Sequence, residues 1–175
     1  FYPGKNLGAM GDAGCVVTNR SDIAEYSSLF ARHGGKGEHK IEGINSRMDG
    51  IQAAVLNVKL EYINEWTELR QSAANNYFEL FAGFDKVKLP FIHKSNNHVF
   101  HLFVIKCMNR DNLKEYLGAQ GIQTAINYPK ALPLYEAYNY LAYTHKHIPN
   151  AYKNQSVILS VPIFPEISKE QQEYI

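Results

Sequence analysis

Phe1-Tyr2-Pro3-Gly4-Lys5-Asn6-Leu7-Gly8-Ala9-Met10-Gly11-Asp12-Ala13-Gly14 sets a lysine inside a segment that is unsuited to helix or strand. Four glycines and a proline in that stretch favour a compact loop that presents Lys5 from a fixed backbone. Cys15-Val16-Val17-Thr18 follows and reads as a short apolar strand. An amine works as a nucleophile only when neutral, and a sheltered pocket near a second cation is one way to make it so. Composition alone fits a plain surface loop whose lysine sits in water. The full string points further.

Outward from that loop, the organisation is coarse but legible. Ser21 is a candidate N-cap for a helix over residues 22–32, ending at Gly34-Gly35. Residues 34–43 are polar and glycine-rich, a loop by composition. Asp49 and Gln52 have the spacing of a capping pair. Ile51, Val55, Val58, Tyr62, Trp66 and Leu69 then follow helical spacing, which predicts one long helix to about Phe84. Trp66, Tyr77, Phe78 and Phe81 read as core.

Beyond it, residues 86–91 are a candidate strand that Pro90 confines to an edge or end. Residues 99–105 are a strand by β-propensity, and Asn109 or Asp111 caps a helix through Leu117 with Gly121 beyond its end. Residues 122–127 give another strand, broken at Pro129. Residues 131–147 read as short helical turns rich in tyrosine, and residues 151–159 as helical or extended. Ser168 and Gln171 form a capping box for a last helix.

Composition excludes several classes. The chain has 175 residues, 45% hydrophobic and 20% charged, with formal net charge +1. That is enough for a real core, and it gives no electrostatic case for nucleic acid or a membrane surface. No stretch approaches the roughly 20 apolar residues of a membrane span. The two cysteines, Cys15 and Cys107, lie far apart and read as buried thiols in a reducing compartment, hence a cytoplasmic protein. His145-Lys146-His147 lacks a carboxylate or cysteine at ligand spacing, so no metal site is expected. There is no Walker-type phosphate loop and no dinucleotide fingerprint.

The opening string closely resembles the pyridoxal-phosphate lysine segment of the DegT/DnrJ/EryC1/StrS nucleotide-sugar aminotransferases. Gly43-Ile44-Asn45-Ser46-Arg47-Met48-Asp49-Gly50-Ile51-Gln52-Ala53-Ala54 is similar to that family's Asn-x-Arg segment with its alanine-rich helix. Ile126-Asn127-Tyr128-Pro129 resembles its Ile-His-Tyr-Pro, and Leu159-Ser160-Val161-Pro162-Ile163-Phe164-Pro165 its C-terminal motif. The resemblance implies an α/β fold of the aspartate-aminotransferase type, fold type I among pyridoxal 5'-phosphate enzymes. It further implies that residues 1–50 are the end of the large cofactor-binding domain, 51–84 a linking helix and 85–175 the small C-terminal domain. Both ends read as cuts in a longer chain whose first half lies before Phe1.

The same resemblance assigns expected roles. Lys5 would hold the cofactor covalently and serve as the acid and base of proton transfer. Asn45 would donate to the cofactor phosphate of the neighbouring subunit, so that a homodimer shares its active sites; read by itself, Asn45 is a turn-capping loop residue. Arg47 is either a contact to the sugar or its phosphates in the partner's site, or a salt-bridging arginine at a helix start. Tyr128 would line the sugar pocket. Asn127 stands where histidine is usual, which keeps a binding role and removes acid–base work at neutral pH. The expected reaction is transamination of a dTDP-linked 3-keto-6-deoxyhexose with glutamate as donor, for cell-surface polysaccharide or glycoside synthesis. Alternatives are a 4-keto-sugar aminotransferase and a non-catalytic regulatory homologue. Sugar dehydratases of the same fold carry histidine at the lysine position, and Lys5 argues against them.

Overall fold

The computed structural model describes all 175 residues, with the chain dividing into two compact units, residues 1–64 and 65–175.

The first unit holds two helices and the loops between and before them. Helix α1 spans Ser21–Phe30 and α2 spans Gly50–Leu60. Ser21 lies inside α1 rather than capping it: Arg20 occupies the N-cap without a side-chain bond, and its guanidinium pairs with Asp22 in the first turn. Asp49 is the N-cap of α2 but makes no side-chain capping hydrogen bond, and the return half of a capping box is also missing because the Gln52 side chain is engaged by Met10. Residues 15–18 form no ladder, and Val16 and Val17 are 66% and 90% exposed. A strand needs a partner, and the first unit's regular elements are helices. Cys15 is consequently exposed, against the expectation of a buried thiol.

The long helix foreseen from Ile51 divides. The Glu61 and Tyr62 N–H groups bond three residues back, to Val58 and Lys59, which tightens and ends α2. Helix α3 then spans Ile63–Leu80 and leads into the second unit.

That second unit is built on a short antiparallel pair. Strand β1 (Phe103–Lys106) faces β2 (Ile158–Val161) in the register Phe103 to Val161 and Lys106 to Ile158. Single bridges at Lys88 and Ala125 are all that forms of the strands expected over 86–91 and 122–127. The strand expected from Val99 starts late because Phe100 takes φ +41, outside the extended region. Helix α4 (Arg110–Ala119) ends before Gly121, whose φ of +79 suits a glycine. Two 3-10 turns (Leu132–Leu134, Glu136–Leu141), α5 (Pro149–Asn154) and α6 (Lys169–Tyr174) complete it. The Ser168–Gln171 capping box on α6 is formed in both directions.

Its core gathers Ala73, Ala74 and Tyr77 of α3 against Phe103, Ile105, Leu159 and Val161 of the strands and Leu117 of α4. Tyr77 and Phe103 meet at 4.9 Å between ring centroids. Of the expected aromatics, Phe78 and Phe81 pack against this core and Trp66 is half-buried. No helix of the chain is long and apolar enough to cross a membrane.

Candidate active site

Lys5 is exposed, on a turn that its own backbone closes: the Lys5 N–H donates to the Tyr2 carbonyl at 2.9 Å. The rest of the loop is tied down. Ala9 N–H donates to Phe1 O at 2.8 Å, and the Phe1 amino group to Ala13 O at 2.8 Å. A Cβ at Gly8 would collide with the Pro3 carbonyl, so the loop folds this tightly only with glycine there. Ala9, 1% exposed, sits beneath.

Two α2 side chains fasten the loop from below. Gln52 Oε1 accepts the Met10 N–H at 2.8 Å, and Lys59 Nζ donates to the Gly8 carbonyl at 2.7 Å. Residues 52 and 59 are two helical turns apart and lie on one face. Local sequence does not reveal this role: the spacing of Gln52 from Asp49 points to a cap, and the only signal for Lys59 is its spacing from Gln52.

Asn45 and Arg47 come together. Arg47 Nε donates to Asn45 Oδ1 at 3.0 Å, and both residues are exposed. Arg47 thus pairs with an amide rather than a carboxylate. The segment is held against the end of α1 by His33 N–H to Ile44 O at 3.1 Å, Ile44 N–H to Phe30 O at 2.8 Å and Ser46 N–H to Ala31 O at 3.0 Å. Gly34, at φ +88, could not carry a side chain without striking the Ile41 carbonyl. With its oxygen taken by Arg47, Asn45 has its two Nδ2 protons left to offer. The unit thus presents an exposed primary amine at Lys5 and, as a separate pair, an amide donor and a forked cation at Asn45 and Arg47, the first suited to a carbonyl carbon and the pair to phosphate oxygens.

Asn127 and Tyr128 belong to the second unit. Tyr128 is 67% exposed. Asn127 is half-buried, and its Oδ1 accepts the Ser160 hydroxyl proton at 2.8 Å. The segment is fixed at three points, by the Ala125–Ser160 bridge, by that bond, and by Ala131 N–H donating to Gln155 Oε1 at 2.7 Å. Gln155 in turn is held by Arg110, a 7% exposed guanidinium that donates to the carbonyls of Gln155 at 3.3 Å and Ile158 at 3.0 Å. Cys107 is half-buried, and burial pushes its thiol up from the usual range. No group of three histidine, cysteine or acidic side chains is placed to hold a metal ion.

Comparison with known proteins gives the chain's family. The model of the DegT/DnrJ/EryC1/StrS aminotransferase family matches residues 1–175. A pleiotropic regulatory protein of Geobacillus stearothermophilus is 40% identical, over 100% of this chain and 48% of its own length. The dTDP-3-amino-3,4,6-trideoxy-alpha-D-glucose transaminase of Streptomyces venezuelae is 37% identical, over 98% of this chain and 46% of its own. The crystal structure of DesV from S. venezuelae, in complex with a ketimine intermediate, superposes with a TM-score of 0.92 at 37% identity, covering 98% of this chain and 47% of that one. The chain thus spans about half the length of these relatives. Matched along its whole length by the family model, the chain belongs to the DegT/DnrJ/EryC1/StrS aminotransferase family.

Proposed function

We propose that this chain forms part of a pyridoxal-phosphate-dependent aminotransferase acting on a dTDP-linked 3-keto-6-deoxyhexose, with glutamate as amino donor. The observation that carries the reading is the Lys5 loop, a primary amine on a turn fastened through Gly8 and Met10 to α2. Pyridoxal phosphate, when bound, supplies the electron sink that lets a bond to the amine-bearing carbon break. Lys5 is the residue that would hold the cofactor through its Nζ, and the same amine would serve as the acid and base that moves a proton. The turn that carries it would keep that amine in place for both roles.

Arg47 orients Asn45; Asn45 Nδ2 would donate to the cofactor phosphate, and the remaining guanidinium N–H groups of Arg47 would meet the nucleotide phosphates or sugar. Asn127 and Tyr128 bind the sugar. Asn45, Arg47 and Tyr128 serve the partner's site in a homodimer, each subunit lending the same surface to the other. Residues 1–50 belong to the large domain, 51–84 link, and 85–175 form the small domain of a cytoplasmic enzyme of surface-polysaccharide or glycoside synthesis.

The preference for C3 over C4 draws on the S. venezuelae relative, whose name specifies a 3-amino sugar. A non-catalytic regulatory role is the second reading, favoured by the name of the G. stearothermophilus relative. Assay of the full-length gene product against 3-keto and 4-keto nucleotide sugars separates them. Turnover of the 3-keto sugar is expected. Turnover of the 4-keto sugar alone overturns the C3 assignment, and tight cofactor binding without turnover of either favours regulation.

A further inference from the structure

Ser160 lies on β2 with 4% of its surface exposed. Its backbone is fully engaged with Ala125: Ser160 N–H donates to Ala125 O at 2.7 Å, and Ala125 N–H to Ser160 O at 3.1 Å. The hydroxyl must still place its own proton, and a buried donor left without an acceptor costs about 1–3 kcal/mol. The acceptor is Asn127 Oδ1 at 2.8 Å.

That bond decides what Asn127 can offer. A primary amide has an acceptor end and a donor end on two branches of one planar group. With Oδ1 turned to β2, the Nδ2 protons face away from it. The reversed amide would donate to the serine and strand the serine's proton in a buried position, the poorer arrangement.

The setting is stiff as well. Ser160 leads into Pro162 and Ile163, whose carbonyls accept from Tyr77 at 2.7 Å and from Arg70 at 3.0 Å, both on α3. Ala125 and Ala131 fix the chain on either side of Asn127. The amide is therefore held by core structure rather than by its own loop.

We propose that Ser160 is a positioning residue that makes Asn127 a donor-only contact, selecting a sugar that presents an oxygen acceptor, keto or hydroxyl, at that point. The inference rests on the transaminase reading above for the identity of the ligand. It does not rest on it for the orientation of the amide.

The test uses the full-length gene product. Ser160→Ala lets the amide turn, so KM for the keto sugar should rise about tenfold with kcat within about twofold, the worth of one neutral hydrogen bond. Ser160→Thr, which keeps the hydroxyl, should recover most of the loss. In an Asn127→Ala background, Ser160→Ala should raise KM no further, since its effect passes through Asn127. Independent, multiplying effects overturn the proposal, as does a Ser160→Thr no better than alanine in a protein that melts like wild type. Asn127→Asp covers the case in which Ser160 variants do not fold. It keeps an acceptor for the serine and removes both amide protons, and an unchanged KM there overturns the proposal. If the wild-type protein transaminates no sugar, the transaminase reading fails and the ligand assignment fails with it. The amide orientation is then decided by NMR alone: the Asn127 side-chain carbonyl resonance should move in Ser160→Ala and return in Ser160→Thr, and an unmoved resonance overturns it.

Discussion

The phenol of Tyr77, on a residue with none of its surface exposed, donates to the carbonyl of Pro162 at 2.7 Å. Burial pushes the phenol up to about 12 from an ordinary value of 10.0, with Gln172 pulling slightly the other way. The unfolded chain therefore releases this proton at lower pH than the folded one. Stability from this group is complete below about pH 10 and is lost as pH rises toward 12. Tyr77→Phe should cost about 1–3 kcal/mol, leaving the Pro162 carbonyl without its donor. It should also flatten the alkaline limb of a stability–pH curve above pH 10. An alkaline limb unchanged in the phenylalanine variant contradicts this account.

Arg70 stands two turns before Tyr77 and holds the next carbonyl, that of Ile163 at 3.0 Å, together with Phe100 O at 3.2 Å. Its half-buried guanidinium is pulled down from its usual value by desolvation. Arg70→Met keeps the aliphatic stem and leaves those carbonyls unpaired, with an expected loss of about 2–4 kcal/mol. All of these bonds come from the single Nη1, so Arg70→Lys should recover only part of the loss for another reason: an ammonium is more strongly hydrated than a guanidinium and costs more to half-bury. Urea denaturation of the three proteins checks the ranking, and full recovery by lysine would refute that desolvation argument.

Gly8 and Gly14 lie in the same loop and should respond oppositely to alanine. A Cβ at Gly8 meets the Pro3 carbonyl, whereas at Gly14 nothing lies within 4 Å. Gly8→Ala should therefore destabilise by more than about 1 kcal/mol and speed amide exchange at Met10, as the loop lifts from Gln52. Gly14→Ala should be neutral or stabilising by up to about 1 kcal/mol through the unfolded chain. Equal melting temperatures for the two variants would show that the loop is not packed as described.

The shared-site proposal has its own test, in the full-length enzyme. Lys5→Ala and Asn45→Asp should each be nearly inactive, the first without its amine and the second repelling a phosphate. If they serve different sites of a dimer, mixing and re-association give heterodimers with one intact site. Activity should then return to about a quarter of wild type, since random pairing makes half the dimers mixed. Absence of recovery despite proven subunit exchange would put both residues in one site.

Some of this protein was legible from local sequence because the forces involved were local. Ser168 and Gln171 cap α6 across three residues, and Gly121 takes the left-handed turn expected beyond α4. Lys5, Asn45, Arg47, Asn127 and Tyr128 could be named from motifs, since each stands in a recognisable string. What a string does not contain is a partner far along the chain. Gln52 has capping spacing, yet a loop 42 residues earlier claims its side chain. Residues 15–18 have strand composition and no strand beside them. The strand expected from Val99 begins only at Phe103, after Phe100 turns out of the extended region and its carbonyl meets Arg70, 30 residues away. Asn127 itself was visible in the sequence. Its donor-only character was not, because a serine on β2, 33 residues on, takes its oxygen, and only the folded chain brings the two together.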